Sequence, residues 1–398
     1  MNRDDFKILD TGIIYFDNGA TTLKPNQVVD SIVDYYTKYT ANAHRGDYDN
    51  SLKVDMMYEE VRTKVKNFIN CKKDEEVVFT SGSTDSLNRI VFGFMEDYLN
   101  EGDEVLLTKA EHASNILPWL ELAKRKNIVI NYIPLTMSNE VSIENVKASI
   151  NPKTKVISLA HVTNVLGDIR PIEEIGRLCK ENNIIFVVDG AQSVPHRKVD
   201  VEKCHIDFLA FSAHKMLGPT GVGVLYGKYE LLEKLKPTIL GGGMNTTFEA
   251  NGMYEVKNIP TRLEAGTPNI AGVIGLGSAI DYLTEIGMDN ITKYEHELRS
   301  YLIEKLKEIP NIIIYNENIE TSNVAFNLKD VFSQDTAIYL NHYKICVRAG
   351  NHCAKILKDE LGVKNTCRIS LYFYNTKEEI DKLIEVLKDS ENIFKIII

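Results

Sequence analysis

Two successive apolar runs each end on groups able to do chemistry. Ile184-Ile-Phe-Val-Val-Asp189-Gly-Ala-Gln192 delivers a carboxylate and an amide, and Asp207-Phe-Leu-Ala-Phe-Ser212-Ala-His214-Lys215 delivers a hydroxyl, an imidazole and an amine. A short apolar run bounded by turn residues reads as a buried strand, and open α/β sheets place ligands beyond the carboxyl ends of their strands. A carboxylate and a lysine amine meeting there suit pyridoxal phosphate, which needs a negative charge at its ring nitrogen and an amine for its aldehyde. Asp189 or Lys215 alone reads as well as a strand-end acid or a solvated base, but Ser212 and His214 beside the lysine favour a phosphate-bearing ligand.

Further motifs converge on the same edge. After the strand-like run ending at Thr80 comes Ser81-Gly-Ser83-Thr84-Asp85, followed by the helical spacing of Leu87, Ile90, Val91 and Phe94. A helix N-terminus offers free backbone N–H groups and a positive dipole end to an anion, although Ser, Thr and Asp also cap ordinary helices. His112 follows a strand end at Thr108. It is placed either to stack on an aromatic ligand and move protons or simply to cap a turn. Asn164 and Gln192 follow two other strand ends and offer amides to a phenolic oxygen. Arg348 and Arg368 offer planar forks to a carboxylate.

The chain has six cysteines, Cys71, Cys179, Cys204, Cys346, Cys353 and Cys367, with no CxxC pair. They read as reduced thiols, most of them small core residues. Cys204 beside His205 has no second ligand pair, so no metal site is expected. Cys353 differs because it sits in the polar run Arg348-Ala-Gly-Asn351-His352-Cys353-Ala, where a thiolate is accessible to substrate. A net charge of −10 removes any broad basic field, so nucleic acid is not an expected partner. No apolar run approaches the roughly 18 residues of a membrane span, and no apolar signal segment opens the chain, so a cytoplasmic location and no membrane association are expected.

These residues need a sheet to hold them. Strand-like runs at 76–80, 104–108, 128–132, 155–160, 184–189, 207–212 and 221–226 alternate with helical stretches such as 172–181, predicting a largely parallel sheet covered on both faces. Beyond residue 280 the pattern changes to a long helix through Leu306, strands near 312–315 and 324–328, and a final helix opened by the capping-box spacing Thr376-Lys-Glu-Glu379. The expected organisation is a large domain at 13–280 and a smaller C-terminal α+β domain at 281–398, with residues 1–12 packing on the latter.

The motifs Val188-Asp189-Gly-Ala-Gln192, Phe211-Ser-Ala-His214-Lys215-Met-Leu-Gly-Pro-Thr-Gly221, Arg262-Leu-Glu264-Ala-Gly-Thr267-Pro-Asn269 and Arg348-Ala-Gly-Asn-His352-Cys353 resemble those of the Suf-type cysteine desulfurases, the second group within the class V aminotransferase superfamily. Tyr15-Phe-Asp17-Asn-Gly-Ala20, His44-Arg45-Gly46 and Glu111-His112 fit the same resemblance, which extends to Asn375. It implies the aminotransferase-like fold, a mostly parallel mixed sheet in the large domain plus the smaller domain, and pyridoxal phosphate as cofactor. It also implies roles. Lys215 would hold the cofactor covalently, Asp189 would pair with its ring nitrogen, and His112 would cover its ring. Ser83, Thr84, Ser212 and His214 would hold its phosphate, Thr267 would reach the partner subunit's phosphate site, and Gln192 would meet the cofactor's oxygen. Asn164, Arg348 and Arg368 would bind the carboxylate of L-cysteine, and Cys353 would take its sulfur as a persulfide. A homodimer, a Suf-type sulfur-acceptor protein and a role in iron–sulfur cluster assembly are implied as well. The segment Phe332-Ser-Gln334-Asp-Thr336 lacks the histidine of relatives that exchange sulfur through a zinc-bearing scaffold, which favours an acceptor without zinc. The chain departs from many relatives at Asn351, where they have His, and in the continuation Ala354-Lys-Ile-Leu. Selenocysteine lyase chemistry, another class V lyase or transaminase reaction with no use for Cys353, and a non-catalytic cofactor-binding scaffold are the alternatives.

Overall fold

The computed structural model describes residues 2–43, 46–389 and 393, so His44 and Arg45 of the His44-Arg45-Gly46 motif lie outside the described residues. A sheet of seven strands carries the expected apolar runs. These are β1 (Val77–Thr80), β2 (Glu104–Leu107), β3 (Val129–Tyr132), β4 (Thr154–Ala160), β5 (Ile185–Asp189), β6 (Phe208–Ser212) and β7 (Gly223–Gly227). Their spatial order is β1-β7-β6-β5-β4-β2-β3, with every neighbouring pair parallel except the two that involve β7.

The alternation of side chains along each strand divides the interior. Val77, Phe79, Ile157, Leu159, Phe186, Val188, Leu209 and Phe211 face one core. Val78, Val105, Leu107, Val156, Val187, Phe208, Ala210 and Leu225 face the other. Because both faces are covered, the inner strands β5 and β6 are buried at every position and apolar up to their last residues, Asp189 and Ser212, whereas β3 at the sheet edge alternates exposed and half-buried residues. The helix at Ile172–Glu181 buries Ile172, Ile175, Gly176 and Cys179, an i, i+3, i+4, i+7 stripe.

A second, wholly antiparallel sheet stands on its own core. Its strands are β8 (Ile312–Ile314), β9 (Asn323–Leu328), β10 (Arg348–Gly350) and β11 (Thr366–Ser370), in the order β8-β9-β11-β10. Leu298, Leu302, Phe326, Tyr339, Ile369, Leu383 and Leu387 form that core with residues of the helices Met288–Leu306, Ser333–His342 and Lys377–Lys388. The last of these opens with the expected capping box, Thr376 with Glu379. The division expected near 280 falls inside an unbroken helix, Ile270–Ile286, and the chain changes direction only at Gly287, with φ of 86°. Most of that helix is buried against the large-sheet core, which is why the pattern there looks continuous in sequence. The N-terminal residues bridge both parts. The Phe6 ring meets Tyr282 of that helix and Phe373 and Tyr374 beyond β11, and Arg3 pairs with Glu379.

The two ends of β1 and β7 touch through glycines. A Cβ at Gly223 would lie 2.6 Å from the carbonyl carbon and 2.7 Å from the nitrogen of Gly82. Gly223→Ala is therefore expected to push the Ser81–Ser83 turn away from Ser212 and to cost about 1–3 kcal/mol by overpacking, checked by urea unfolding against wild type.

Candidate active site

The strand ends of the large sheet converge on a cavity of about 410 Å³. Its lining includes Ser83 and Thr84 after β1, His112 after β2, Asn164 after β4, and Asp189 with Gln192 at the end of β5. Ser212, His214 and Lys215 reach it from β6, and Arg348 and Arg368 from the second sheet. Eleven of the expected residues thus meet in one place. Cys353 and Thr267 are not part of the lining. The Cys353 carbonyl accepts from the N–H of Ala113, 2.8 Å, which ties the cysteine loop to the residue after His112. Cys353 itself is exposed. Thr267 is exposed, 3.4 Å from the Asn42 amide.

Charge inside the cavity is unevenly distributed. Asp189 is 5% exposed and accepts from the Ala191 N–H, 2.9 Å. Burial raises its pKa, while the Ala191 N–H and the Lys215 charge oppose the rise. Burial pushes the half-buried Lys215 amine down to about 8, against the pull of Asp189. His112 is pushed down to about 4 by burial and by Lys215, Arg348 and Arg368. Its Nδ1 accepts from the Ser114 N–H, 3.1 Å, which leaves the proton of the neutral ring on Nε2. His214 falls to about 4 through burial, Lys215 and Lys24. Both imidazoles are therefore neutral at neutral pH.

At the turn after β1, the Ser83 N–H donates to Ser212 Oγ, 2.8 Å, and the two serine hydroxyls lie 3.1 Å apart. Thr84 Oγ1 meets Ser114 Oγ at 2.7 Å, joining this turn to the His112 turn. Asp85 binds Ser81 and Arg89, which anchors the first turn of the helix Ser83–Ile90. Gln192 donates to the Gly19 carbonyl, 2.8 Å, and Asn164 to the His352 carbonyl, 2.7 Å. Arg368 donates to the Asn164 carbonyl, 2.8 Å, and to Asp17 Oδ1, 3.0 Å.

Three supporting groups were not assigned roles from sequence. The Asp17 carboxylate pairs with Arg368, although burial raises its pKa. Arg170 and Glu111 form an ion pair with fully buried side chains beneath His112. Glu111 also accepts from Asn115 and from the Ala160 N–H, and Arg170 donates to Thr108, 2.7 Å, so this pair locks the His112 turn to the ends of β2 and β4. Removing one partner of such a pair costs roughly 3–5 kcal/mol because it leaves a buried charge uncompensated. His352, the third group, lines the cavity and is 3% exposed. The one available signal for Glu111 was its place beside His112, and nothing local marked Arg170, 59 residues away.

Similarity to known proteins agrees with this geometry. A "probable cysteine desulfurase" of Halalkalibacterium halodurans is 42% identical over 392 residues, covering 98% of this chain and 96% of the relative. Another from Staphylococcus aureus strain Mu50 is 44% identical over 398 residues, with the same coverage. Among solved structures, the apo cysteine desulfurase of Thermococcus onnurineus NA1 superposes with a TM-score of 0.93 at 38% identity, covering 97% of this chain and 96% of that one. The cysteine desulfurase CsdA of Escherichia coli, in an S-sulfonic acid form, gives 0.93 at 33% identity with 98% coverage of both chains. Residues 14–383 match the aminotransferase class-V family, and the chain belongs to it.

Proposed function

We propose that this chain is a pyridoxal-phosphate-dependent cysteine desulfurase that converts L-cysteine to L-alanine and keeps the sulfur as a persulfide on Cys353. The observation that carries this reading is the meeting of Asp189 and Lys215 in one cavity with the Cys353 loop tied to its rim through Ala113.

The residues fit the cofactor. Asn164 Oδ1 and Arg368 Nε, both on lining residues, are buried and have no partner among the described residues. Each such atom costs about 1–3 kcal/mol unless a polar ligand or water satisfies it. Lys215 is the attachment point, Asp189 holds positive charge at the ring nitrogen, and the neutral His112 covers the ring. Ser83, Thr84, Ser212 and His214 hold the phosphate, and Gln192 and Asn164 meet the ring oxygen. When bound, pyridoxal phosphate supplies an electron sink for charge developing at the substrate α-carbon.

The chain's own groups do the rest. Arg348 and Arg368 bind the substrate carboxylate, with Asn164 beside them. Lys215 as a free amine takes the α-proton, a role its depressed pKa favours. The Cys353 thiolate attacks the substrate sulfur, the carbon–sulfur bond breaks with its electron pair leaving on carbon, and protonation gives alanine. The Cys353 sulfur then passes to an acceptor, and an exposed position on a loop suits that transfer.

The wider reading includes a cytoplasmic homodimer in which Thr267 completes the partner's phosphate site. It also includes a Suf-type acceptor protein and delivery of sulfur for iron–sulfur cluster assembly. Supporting it, Thr267 stands exposed and outside its own chain's cavity. Among the described residues no single helix is long and apolar enough to cross a membrane.

Three outcomes are expected. Lys215→Ala should lose both the cofactor's bound absorbance and alanine formation; normal alanine output would remove Lys215 from its role. Capture of pyridoxal phosphate by cofactor-free protein should quicken with rising pH and reach half its maximum near 8, since only the unprotonated Lys215 amine attacks. A rate flat between pH 6 and pH 10, roughly the span around that midpoint, would contradict the assignment. Cys353→Ser should still bind cysteine but release no alanine beyond a trace, and mass spectrometry of wild type after cysteine treatment should place one added sulfur on the Cys353 peptide. Sulfur on Cys346 or Cys367 instead would mean a different nucleophile.

A further inference from the structure

The loop bearing Cys353 holds two successive non-glycine residues in the left-handed region, His352 at φ 53° and Cys353 at φ 58°. Each costs roughly 1–2 kcal/mol relative to ordinary backbone, so the surroundings must impose the shape. Part of the constraint is local. The Cys353 N–H donates to Asn351 Oδ1, 3.2 Å, and the Ala354 N–H to the Asn351 carbonyl, 2.9 Å. The side chain that departs from many relatives thus closes the turn here. Another part lies beneath. His352 Nε2 sits 3.0 Å from the Thr366 carbonyl and 3.1 Å from its hydroxyl. A carbonyl only accepts, so Nε2 carries the proton.

Lys358 completes this arrangement. It is 1% exposed, and its Nζ lies 2.6 Å from Thr366 Oγ1. No carboxylate pairs with it among the described residues. Burial and the nearby Arg368 push its amine down to about 8. An amine buried on a neutral hydroxyl is costly, and the cavity reaction described above makes no use of it. What it does is geometric. Gly350 pairs with Thr366 in the sheet, so Thr366 receives the strand entering the loop, the His352 ring and the Lys358 amine at once.

We propose that Lys358 is a positioning residue for Cys353, acting through Thr366 and His352 to hold the nucleophile's loop in its left-handed form. This inference deepens the desulfurase reading and rests on it for the identity of the nucleophile. Lys358→Met keeps volume and removes the bond. In the variant, hydrogen–deuterium exchange at residues 351–354 and at Ala113 should quicken on the order of tenfold, while β9 and the C-terminal helix keep wild-type protection. In the loaded enzyme, kcat should fall on the order of tenfold to a hundredfold with KM for cysteine unchanged, because Arg348 and Arg368 are untouched and only the attacking atom is misplaced. Thr366→Val removes the same bond from its other end and should reproduce both effects if Lys358→Met folds poorly. Wild-type exchange at 351–354 in either folded variant, or protection lost evenly across the second sheet, would overturn the proposal. A wild-type protein that makes no alanine from cysteine would instead overturn the desulfurase reading, and the exchange measurement would still decide the clamp.

Discussion

The rest of the site depends on one buried guanidinium. Arg368 is 1% exposed and sits in β11 of the second sheet, yet its donors reach Asp17 near the N-terminus and the Asn164 carbonyl at the end of β4. Burying an arginine costs several kcal/mol unless its donors are met, and here the two terminal nitrogens are met by groups from distant segments while Nε is left facing the cavity without a partner among the described residues. A Cβ at Gly19 would lie 2.9 Å from the guanidinium carbon, so a glycine is needed to let the chain pass this close. The second sheet is thus fixed to the carboxyl edge of the first by the residue that faces the cavity. Substrate binding and the relative placement of the sheets share a single anchor.

That anchor also sets the electrostatics. Lys215, Arg348 and Arg368 gather at the cavity in a chain whose net charge is −10, with Asp85 and Asp189 also in the lining, Asp85 held by Arg89, and Asp17 paired with Arg368 from outside it. Their field, added to burial, keeps His112, His214 and His352 unprotonated. Neutral imidazoles beside the cavity preserve hydrogen-bonding and stacking surfaces without adding further positive charge. Under the proposed reading these cations would serve anionic ligands, a phosphate toward Ser83 and Ser212 and a carboxylate toward Arg348 and Arg368. The overall negative charge conceals this, because charge composition is an average and the cavity is local.

What the sequence discloses follows the range of the interactions. The seven strands of the large sheet were legible because each is a short run rich in apolar residues, most of them buried on both faces, with only the edge strand β3 half exposed. The cavity positions of Asp189 and Lys215 could be read because Asp189 ends β5 and Lys215 closes the single turn after β6, so the run before each decides where it lies. Contacts between distant segments were not. Arg368 and Asp17 are 351 residues apart, Glu111 and Arg170 are 59 apart, and no local pattern announces either pair. The boundary expected near 280 lies within a helix for a related reason. The helix Ile270–Ile286 is buried along most of its length, so hydropathy carries no mark of where one core gives way to the next, and only the geometry at Gly287 does.

The contrast between rigid and strained elements explains why the nucleophile is not on a strand. Groups that bind and orient gain from strands, whose backbone is fixed by ladder pairing, and Asp189 and Ser212 at strand ends and Arg368 in the middle of β11 are so placed. A thiol that takes sulfur from a buried substrate and gives it to an outside acceptor needs exposure that a strand end in a closed cavity lacks. Cys353 has that exposure, but on a loop whose preferred backbone is not the observed one. The position must therefore be imposed. The Ala113 N–H, the Asn164 amide and Thr366 hold the loop from three separate segments, so its geometry is a property of the assembled fold and not of the Asn351-His352-Cys353 sequence. A motif can name the nucleophile, but the attack geometry belongs to residues far from it in the chain.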